Sequence, residues 1–342
     1  MAQRLIELFL PAGEGNRVEE VLGDKPDLNI WRERLSENIV LARILVQSDQ
    51  VEAVLDLLES NFSGTEGFRV ILLPVEASLP RPAPAEEENV QTAEAGLVVE
   101  EEEERAKERI SREELYQDVE ETIKLSWIFV VLVILSSVVA AIGLMKNNVA
   151  VIIGAMVIAP LLGPNVALSL STTLGDFGLA RRAAKAGVSG IFIAVLFSVF
   201  LGFFLKVNPR IPEIASRTRV NLEDIVLALA AGSAATLSFT TGLSTALIGV
   251  MVAVALLPPL VTFGLLLGGG YFRGALNALL LVMTNIVCIN LSGIVTFLVQ
   301  GIQPRKWWEA DKARRATRNA IVLWAILLLL LAVVIYLSRR NW

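Results

Sequence analysis

The sequence predicts a polytopic α-helical membrane protein of about seven spans, built on a 3+3 inverted repeat and preceded by an N-terminal α+β, ferredoxin-like domain. Three observations lead there. Of the 342 residues 54% are hydrophobic and the mean hydropathy is +0.61, too apolar for a soluble domain of this length. Seven apolar runs without a single Lys, Arg, Asp or Glu follow residue 124. Two of those runs carry the same motif at a fixed spacing.

Residues 1–76 read as the soluble, cytoplasmic domain. MAQRLIELFLPAGEGN lacks the basic-then-apolar-then-small order of a secretory signal. It starts instead with a strand, Leu5–Leu10, stopped by Pro11 and Gly13, and Arg17–Leu22 then carries helical spacing. LNIWRERLS and NIVLARILVQ read as two strands, the second with Val40, Ala42, Ile44 and Val46 in alternation. Gln50–Leu58 is amphipathic and follows Ser48 and Asp49, either of which can cap it. FRVILLPV closes the domain near Val75. Strand, helix, strand, strand, helix, strand is the order of a split βαβ unit. Folds of that order serve ligand sensing, dimerisation and much else, so the order names no activity.

Residues 77–110 form an acidic linker rich in Pro, Ala and Glu, with Glu86–Glu88, Glu94 and Glu100–Glu104 in one short stretch. These nine acids account for the net charge of −5; a run of this kind is a solvated tether. Order returns at Ser111, where Ser111 and Glu114 make a capping-box pattern. Residues 111–124 form an amphipathic lead-in helix with Leu115, Val119 and Ile123 on one face.

The apolar runs are Leu125–Met145, Val149–Ser171, Val188–Leu205, Ile225–Thr241, Leu243–Leu267, Ala275–Leu298 and Ala320–Leu337. Most approach the ~20 residues that cross a ~30 Å hydrocarbon core, Ile225–Thr241 being marginal. IGAMVIAPLLGP (Ile153–Pro164) aligns with IGVMVAVALLPP (Ile248–Pro259) at an offset of 95, identical at seven of twelve positions. At that offset Gly175, Phe177 and Ala180 fall on Gly270, Phe272 and Ala275. Shared composition explains the Leu and Val matches but is weaker for Gly154/Gly249 and Pro164/Pro259. The reading is a duplication, with membrane repeat 1 at 125–205, a loop at 206–224 and repeat 2 at 225–300. A basic loop at 301–319 and a seventh span with its tail at 320–342 complete the chain.

A unit of three spans crosses an odd number of times, so its second copy enters from the opposite side. With the N-terminus cytoplasmic, fourteen basic residues flank the spans inside and eight outside, which favours that orientation in a plasma (inner) membrane. Four of the outer ones, Lys206, Arg210, Arg217 and Arg219, count against it.

Pro160, Gly163 and Pro164 fall in the middle of an apolar run and are echoed by Pro258 and Pro259. A helix break in lipid frees backbone groups at several kcal/mol each, so it persists only where protein or a wet cavity satisfies them. Paired, interrupted segments in the two halves point to a transporter's binding site; two kinked helices that merely pack closely are the plainer reading. Asn165, Ser169, Thr236, Asn285 and Asn290 are the polar residues expected to line such a pathway, with Pro160, Gly163, Pro164, Pro258 and Pro259 shaping it. Ser and Thr within spans more often bond back to their own helix. Arg181, Arg182 and Lys185 form a basic cytoplasmic mouth able to draw an anion or a lipid headgroup, although such clusters more often only fix topology.

The chain has no histidine, no nucleophile motif and no phosphate-binding glycine loop, so neither enzyme activity, a cofactor nor a metal is expected. Its one cysteine, Cys288, reads as a packing residue. The expected partners are membrane lipid, a small molecule or ion, and further copies of the chain; no nucleic acid is expected. Gly264, Gly268 and LALAAGSAATLS offer the small-residue faces on which homo-oligomers form, or on which helices of one protomer pack.

The block SWIFVVLVILSSVVAAIGLMKNNVAVIIGAMVIAPLLGPNVALSLSTTLGD resembles the prokaryotic membrane proteins known as domain of unknown function 389, with NNVAVIIGAMVIAPLLGP its most specific part. The resemblance covers roughly Ser126–Gly264. It implies a multi-span membrane protein, often with a soluble N-terminal extension, and carries over no site residues. Two function classes remain open: a transporter or channel, with the N-terminal domain as a regulator, or a membrane-anchored ligand sensor or oligomeric scaffold without transport.

Overall fold

The computed structural model describes residues 3–23, 28–47, 50–75, 110–241, 245–302 and 307–340. The acidic linker, the Ser48/Asp49 cap and the basic Arg305–Lys306 pair lie outside the described residues. The chain divides into two compact units, Met1–Glu114 and Leu115–Trp342.

The first unit holds a four-stranded antiparallel sheet of β1 (Gln3–Pro11), β2 (Asn29–Arg34), β3 (Ile39–Gln47) and β4 (Arg69–Val75) in the order β2-β3-β1-β4. Helices α1 (Arg17–Leu22) and α2 (Val51–Phe62) connect them as crossovers. Alternation fixes the register. Ile6 pairs with Ile44 and Leu8 with Ala42, all four buried, so one face of β1 and β3 supplies the core. Val51, Val54, Leu55, Leu58 and Phe62 recur at helical spacing and cover that face. On the other face Arg43 bridges Glu7 at 2.9 Å and Glu33 at 3.1 Å across three strands.

The capping pattern at Ser111 is half realised. Ser111 Oγ accepts from Glu114 N at 3.2 Å, but the Glu114 carboxylate takes two N–H groups of Arg4, at 3.2 and 3.3 Å. A forked guanidinium competes better for a carboxylate than a lone backbone N–H does.

The second unit begins within α3 (Arg112–Thr122) and is wholly helical where described. It continues as α4 (Trp127–Met145), α5 (Val149–Ile158), α6 (Leu162–Leu174), α7 (Phe177–Phe204), the short α8 (Pro212–Ser216), α9 (Leu222–Thr240), α10 (Thr245–Gly268), α11 (Phe272–Val299) and α12 (Trp307–Arg340). Among the described residues five helices are long and apolar enough to cross a membrane, or six if α5 and α6, bent by 52°, count as one span. The marginal run is one of them, extended to Leu222–Thr240. The third run also lengthens, to Phe177, because Asp176 caps the helix through Leu179 N at 3.0 Å and carries Arg181, Arg182 and Lys185 within its first turns. Phe192, Leu196, Phe200 and Phe203 on α7 are more than half exposed, a surface suited to lipid rather than to water.

The bounds recur. Adding 95 to Trp127–Met145 gives Leu222–Thr240, and adding 95 to Phe177–Phe204 gives Phe272–Val299. The helices between them end at matched left-handed glycines, Gly175 (φ +70°) and Gly270 (φ +81°).

The two matched segments differ in the middle. At the first, Ala159 is extended (ψ 120°) as the residue before a proline prefers, α5 stops there, and Pro164 falls harmlessly in the first turn of α6. The expected second break does not form: Pro258 and Pro259 lie inside α10. The position matching Pro160 is Ala255, which keeps its N–H and continues the helix.

Candidate functional site

Asn165 and Ser169 lie one turn apart on α6 and face Asn290 on α11. Asn290 Nδ2 donates to Asn165 Oδ1 at 3.0 Å and to Ile286 O at 2.8 Å. Asn165 Nδ2 donates in turn to Leu161 O at 2.9 Å, the carbonyl at the edge of the break. Ser169 Oγ reaches Asn165 O at 3.0 Å, Asn290 O at 3.3 Å and Asn290 Oδ1 at 3.4 Å. Ser169 and Asn290 are fully buried, and their partners meet the cost of burying amides and hydroxyls there.

Gly293 sets the approach of these helices. A Cβ there would lie 2.7 Å from Ser169 Oγ and 3.2 Å from Thr236 Oγ1, so α6, α9 and α11 converge on it. Thr236 itself donates to Gly232 O at 3.0 Å. Asn285 is buried on an earlier turn of α11.

A void of about 10 Å³ adjoins this crossing, lined by Leu161, Asn165, Gly187, Ile191, Leu256, Leu260, Val282 and Ile286. It has room for about one water. The eight residues are four pairs at the offset of 95: Leu161/Leu256, Asn165/Leu260, Gly187/Val282 and Ile191/Ile286. Asn165 is its one polar side chain.

The structure therefore brings together Asn165, Ser169, Asn290 and Thr236 of the predicted pathway. Pro258 and Pro259 are buried between Leu256 and Leu260 on the far wall. Gly163 is turned elsewhere: a Cβ there would collide with the Thr122 side chain at the end of α3. The basic mouth is partly neutralised, since Arg182 pairs with Glu120 at 3.2 Å and donates to Tyr116 Oη at 3.3 Å, while Arg181 and Lys185 are exposed. Tyr116 Oη donates to Asp176 Oδ2 at 2.8 Å. The small-residue faces are consumed within the protomer, Gly264 and Gly268 against α7 and Gly232 against Ile289 and Ser292. Residue-by-residue reading missed Gly187, Ile191, Val282 and Ile286, which carry no polar signal; continuing the offset of 95 past the motif would have found them.

Five to six long apolar helices among the described residues, following an α/β unit in the chain, define a multi-pass α-helical membrane protein. Residues 156–291 match the family described as Domain of unknown function (DUF389). A Methanocaldococcus jannaschii protein, "Uncharacterized protein MJ0678", is 37% identical over 336 residues, covering 98% of this chain and 99% of its own. The chain belongs to this family. No solved structure matches it.

Proposed function

We propose that the protein is a membrane carrier whose substrate path follows the interface between two inverted three-helix halves. One observation carries the reading: the void beside Asn165 is lined wholly by residue pairs at the repeat offset, which is where a two-fold axis relating the halves would pass. Substrate sites of inverted-repeat transporters lie at that interface, near the bilayer midplane. With room for one water the path is closed, and the halves are unequal, one broken and one continuous. A carrier needs two such arrangements that exchange; a channel does not. Counting α10 as a span gives seven, with an added last helix; the basic bias supports a cytoplasmic N-terminal unit, which in this reading regulates the path.

The test uses full-length protein in proteoliposomes, with Cys288→Ala removing the natural thiol. Asn165→Cys and Leu260→Cys are expected to react with a membrane-impermeant maleimide. Lack of reaction at both sites, in protein that remains assembled, rejects the pathway. A membrane-anchored sensor or scaffold is the second reading, favoured by Trp31, Leu35 and Ile39, all exposed along the β2–β3 hairpin. There the chain is expected to self-associate; a clean monomer mass in nanodiscs removes that reading.

A further inference from the structure

The excess of basic residues at 206–219 has no role in the axial void. Arg217 is tied to Glu213 at 2.6 Å. Arg210 and Arg219 instead line a separate cavity of about 860 Å³ together with Arg273, Asn277, Leu280 and Ile335. It shares no lining residue with the void. Among the described residues no carboxylate pairs with these three guanidinium groups, because Glu213 is held by Arg217 and Asp224 accepts from Asn221 N at 2.7 Å. Arg273 stands in the first turn of α11, whose N-cap Tyr271 makes no side-chain cap bond, so the helix start adds further positive potential. The matched helix α7 begins with an aspartate that cancels this effect.

Three exposed guanidinium groups lining one concave space, with no carboxylate paired to them among the described residues, make a positive field that favours an anion there. The guanidinium fork matches phosphate oxygens in pairs. The cavity is too large for bare phosphate and lies within the roughly 300–1,000 Å³ of small-molecule sites. Leu280 and Ile335 give it an apolar wall, and Asn277 adds an amide able to meet an ester or hydroxyl oxygen. We propose that this cavity binds a phosphate ester through Arg210, Arg219 and Arg273, with the apolar part of the ligand against Leu280 and Ile335. A phospholipid headgroup and a soluble organic phosphate share that chemistry.

Purified full-length protein would be titrated in two arms. Native mass spectrometry measures retention of phosphatidylglycerol against phosphatidylcholine, and calorimetry measures binding of glycerol 3-phosphate. Wild type is expected to bind in at least one arm, and Arg210→Gln/Arg219→Gln/Arg273→Gln to bind at least ten-fold more weakly in that arm. Loss confined to the lipid arm assigns a headgroup; loss confined to the other assigns a free ester. Arg34→Gln, on β2, is expected to bind as wild type. Arg273→Lys keeps the charge without the fork and is expected to lose several-fold, which serves if the triple variant fails to assemble. Equal binding by wild type and variants, or no binding in either arm, overturns the proposal.

Discussion

Two helix crossings in the membrane unit share a glycine–serine contact and differ in the chemistry around it. In one, Gly293 on α11 abuts Ser169 on α6; in the other, Gly264 on α10 abuts Ser198 on α7. Adding 95 to Ser169 and Ser198 gives Gly264 and Gly293, so the serine and the glycine have changed places between the crossings. Close approach needs one partner without a side chain, and either helix can supply it. Around that shared contact the first crossing carries Asn165 and Asn290, where the second has Leu260 and Val195. Ser169 Oγ has three acceptors within reach; Ser198 Oγ is buried with none among the described residues. The polar crossing is also the one that uses the helix of the bent pair, α6. Backbone approach is thus a property of the fold, and polarity an addition at one place.

The largest expected effect is at the apolar crossing. A Cβ on Gly264 meets Ser198 Cβ and, at 3.1 Å, the backbone of Val195 and Ser198, none of which can turn aside. Gly264→Leu is expected to abolish monodisperse protein on size exclusion. Gly293→Ser meets mainly side chains and is expected to cost roughly 1–3 kcal/mol as overpacking. Adding Ser169→Gly rebuilds the arrangement of the second crossing and is expected to recover most of the loss in thermal unfolding. An equal loss in the double variant breaks the equivalence of the crossings.

Next is the amide pair. Asn165→Leu leaves Asn290 with a buried donor short of one acceptor, and is expected to cost about 1–3 kcal/mol. The double change Asn165→Leu/Asn290→Val copies Leu260/Val195 and is expected to unfold at or above the wild-type temperature, since both polar partners are then gone. If the amides serve the path, impermeant-maleimide labelling at Leu260→Cys falls in that same stable double variant. Undiminished labelling would reduce the amides to helix glue.

The legibility of these features in the sequence follows the range of the interactions behind them. Strands β1 and β3 were readable because Ile6/Leu8/Leu10 and Ala42/Ile44/Val46 alternate locally. The polar residues Asn165, Ser169 and Asn290 were readable because amides and hydroxyls in apolar runs are costly and hence informative. Gly163 was read as shaping the break, but its close contact was not legible, because nothing local shows that Thr122 comes to meet it. Pro258 and Pro259 were read as a break from their type and their place in the matched segment, whereas the residue matching Pro160 is Ala255, one turn earlier. The apolar lining of the void was invisible residue by residue, since Ile191 and Ile286 look like any lipid-facing isoleucine.

A smaller effect separates the starts of α7 and α11. Asp176 caps the first, and the matched Tyr271 caps nothing. Burial alone would push the Asp176 carboxyl up, but hydrogen bonds from Leu179 N, Tyr116 Oη and Gly178 N, with the charge of Arg182, hold it below its ordinary 3.8. A carboxyl lowered in the folded state stabilises above its ordinary value, and that contribution fades as pH falls through the lowered one. Asp176→Ala is expected to cost about 1 kcal/mol near neutral pH as a lost cap. The gap from wild type is expected to narrow only below pH 3.8. A gap unchanged in acid would mean that the carboxylate charge is not what caps the helix.

The smallest expected effect bears most directly on the exchange that the carrier reading requires. Pro160→Ala restores an N–H and makes the first half read as the second does at Ala255. Its cost or gain in stability is expected to be about 0.4–1 kcal/mol, because freeing a proline acts mainly through the unfolded chain. The geometric effect is larger than the energetic one. The 52° bend between α5 and α6 is held by an extended Ala159 that only the following proline requires, while Pro164 is tolerated in a first turn. With alanine at 160 the segment is expected to populate a straighter form, lengthening the distance between spin labels at Val149 and Thr172 in pulsed resonance measurements. Ala255→Pro is the converse and is expected to bend α10. If the carrier works by trading the broken and continuous forms between halves, each single change biases the trade in opposite directions, and Pro160→Ala/Ala255→Pro inverts it. Accessibility at Asn165→Cys and Leu260→Cys would then switch to the other side of the membrane. Distances that do not move in any of the three variants would mean that the bend is set by packing against α3 and not by proline, and the exchange would lose its physical basis.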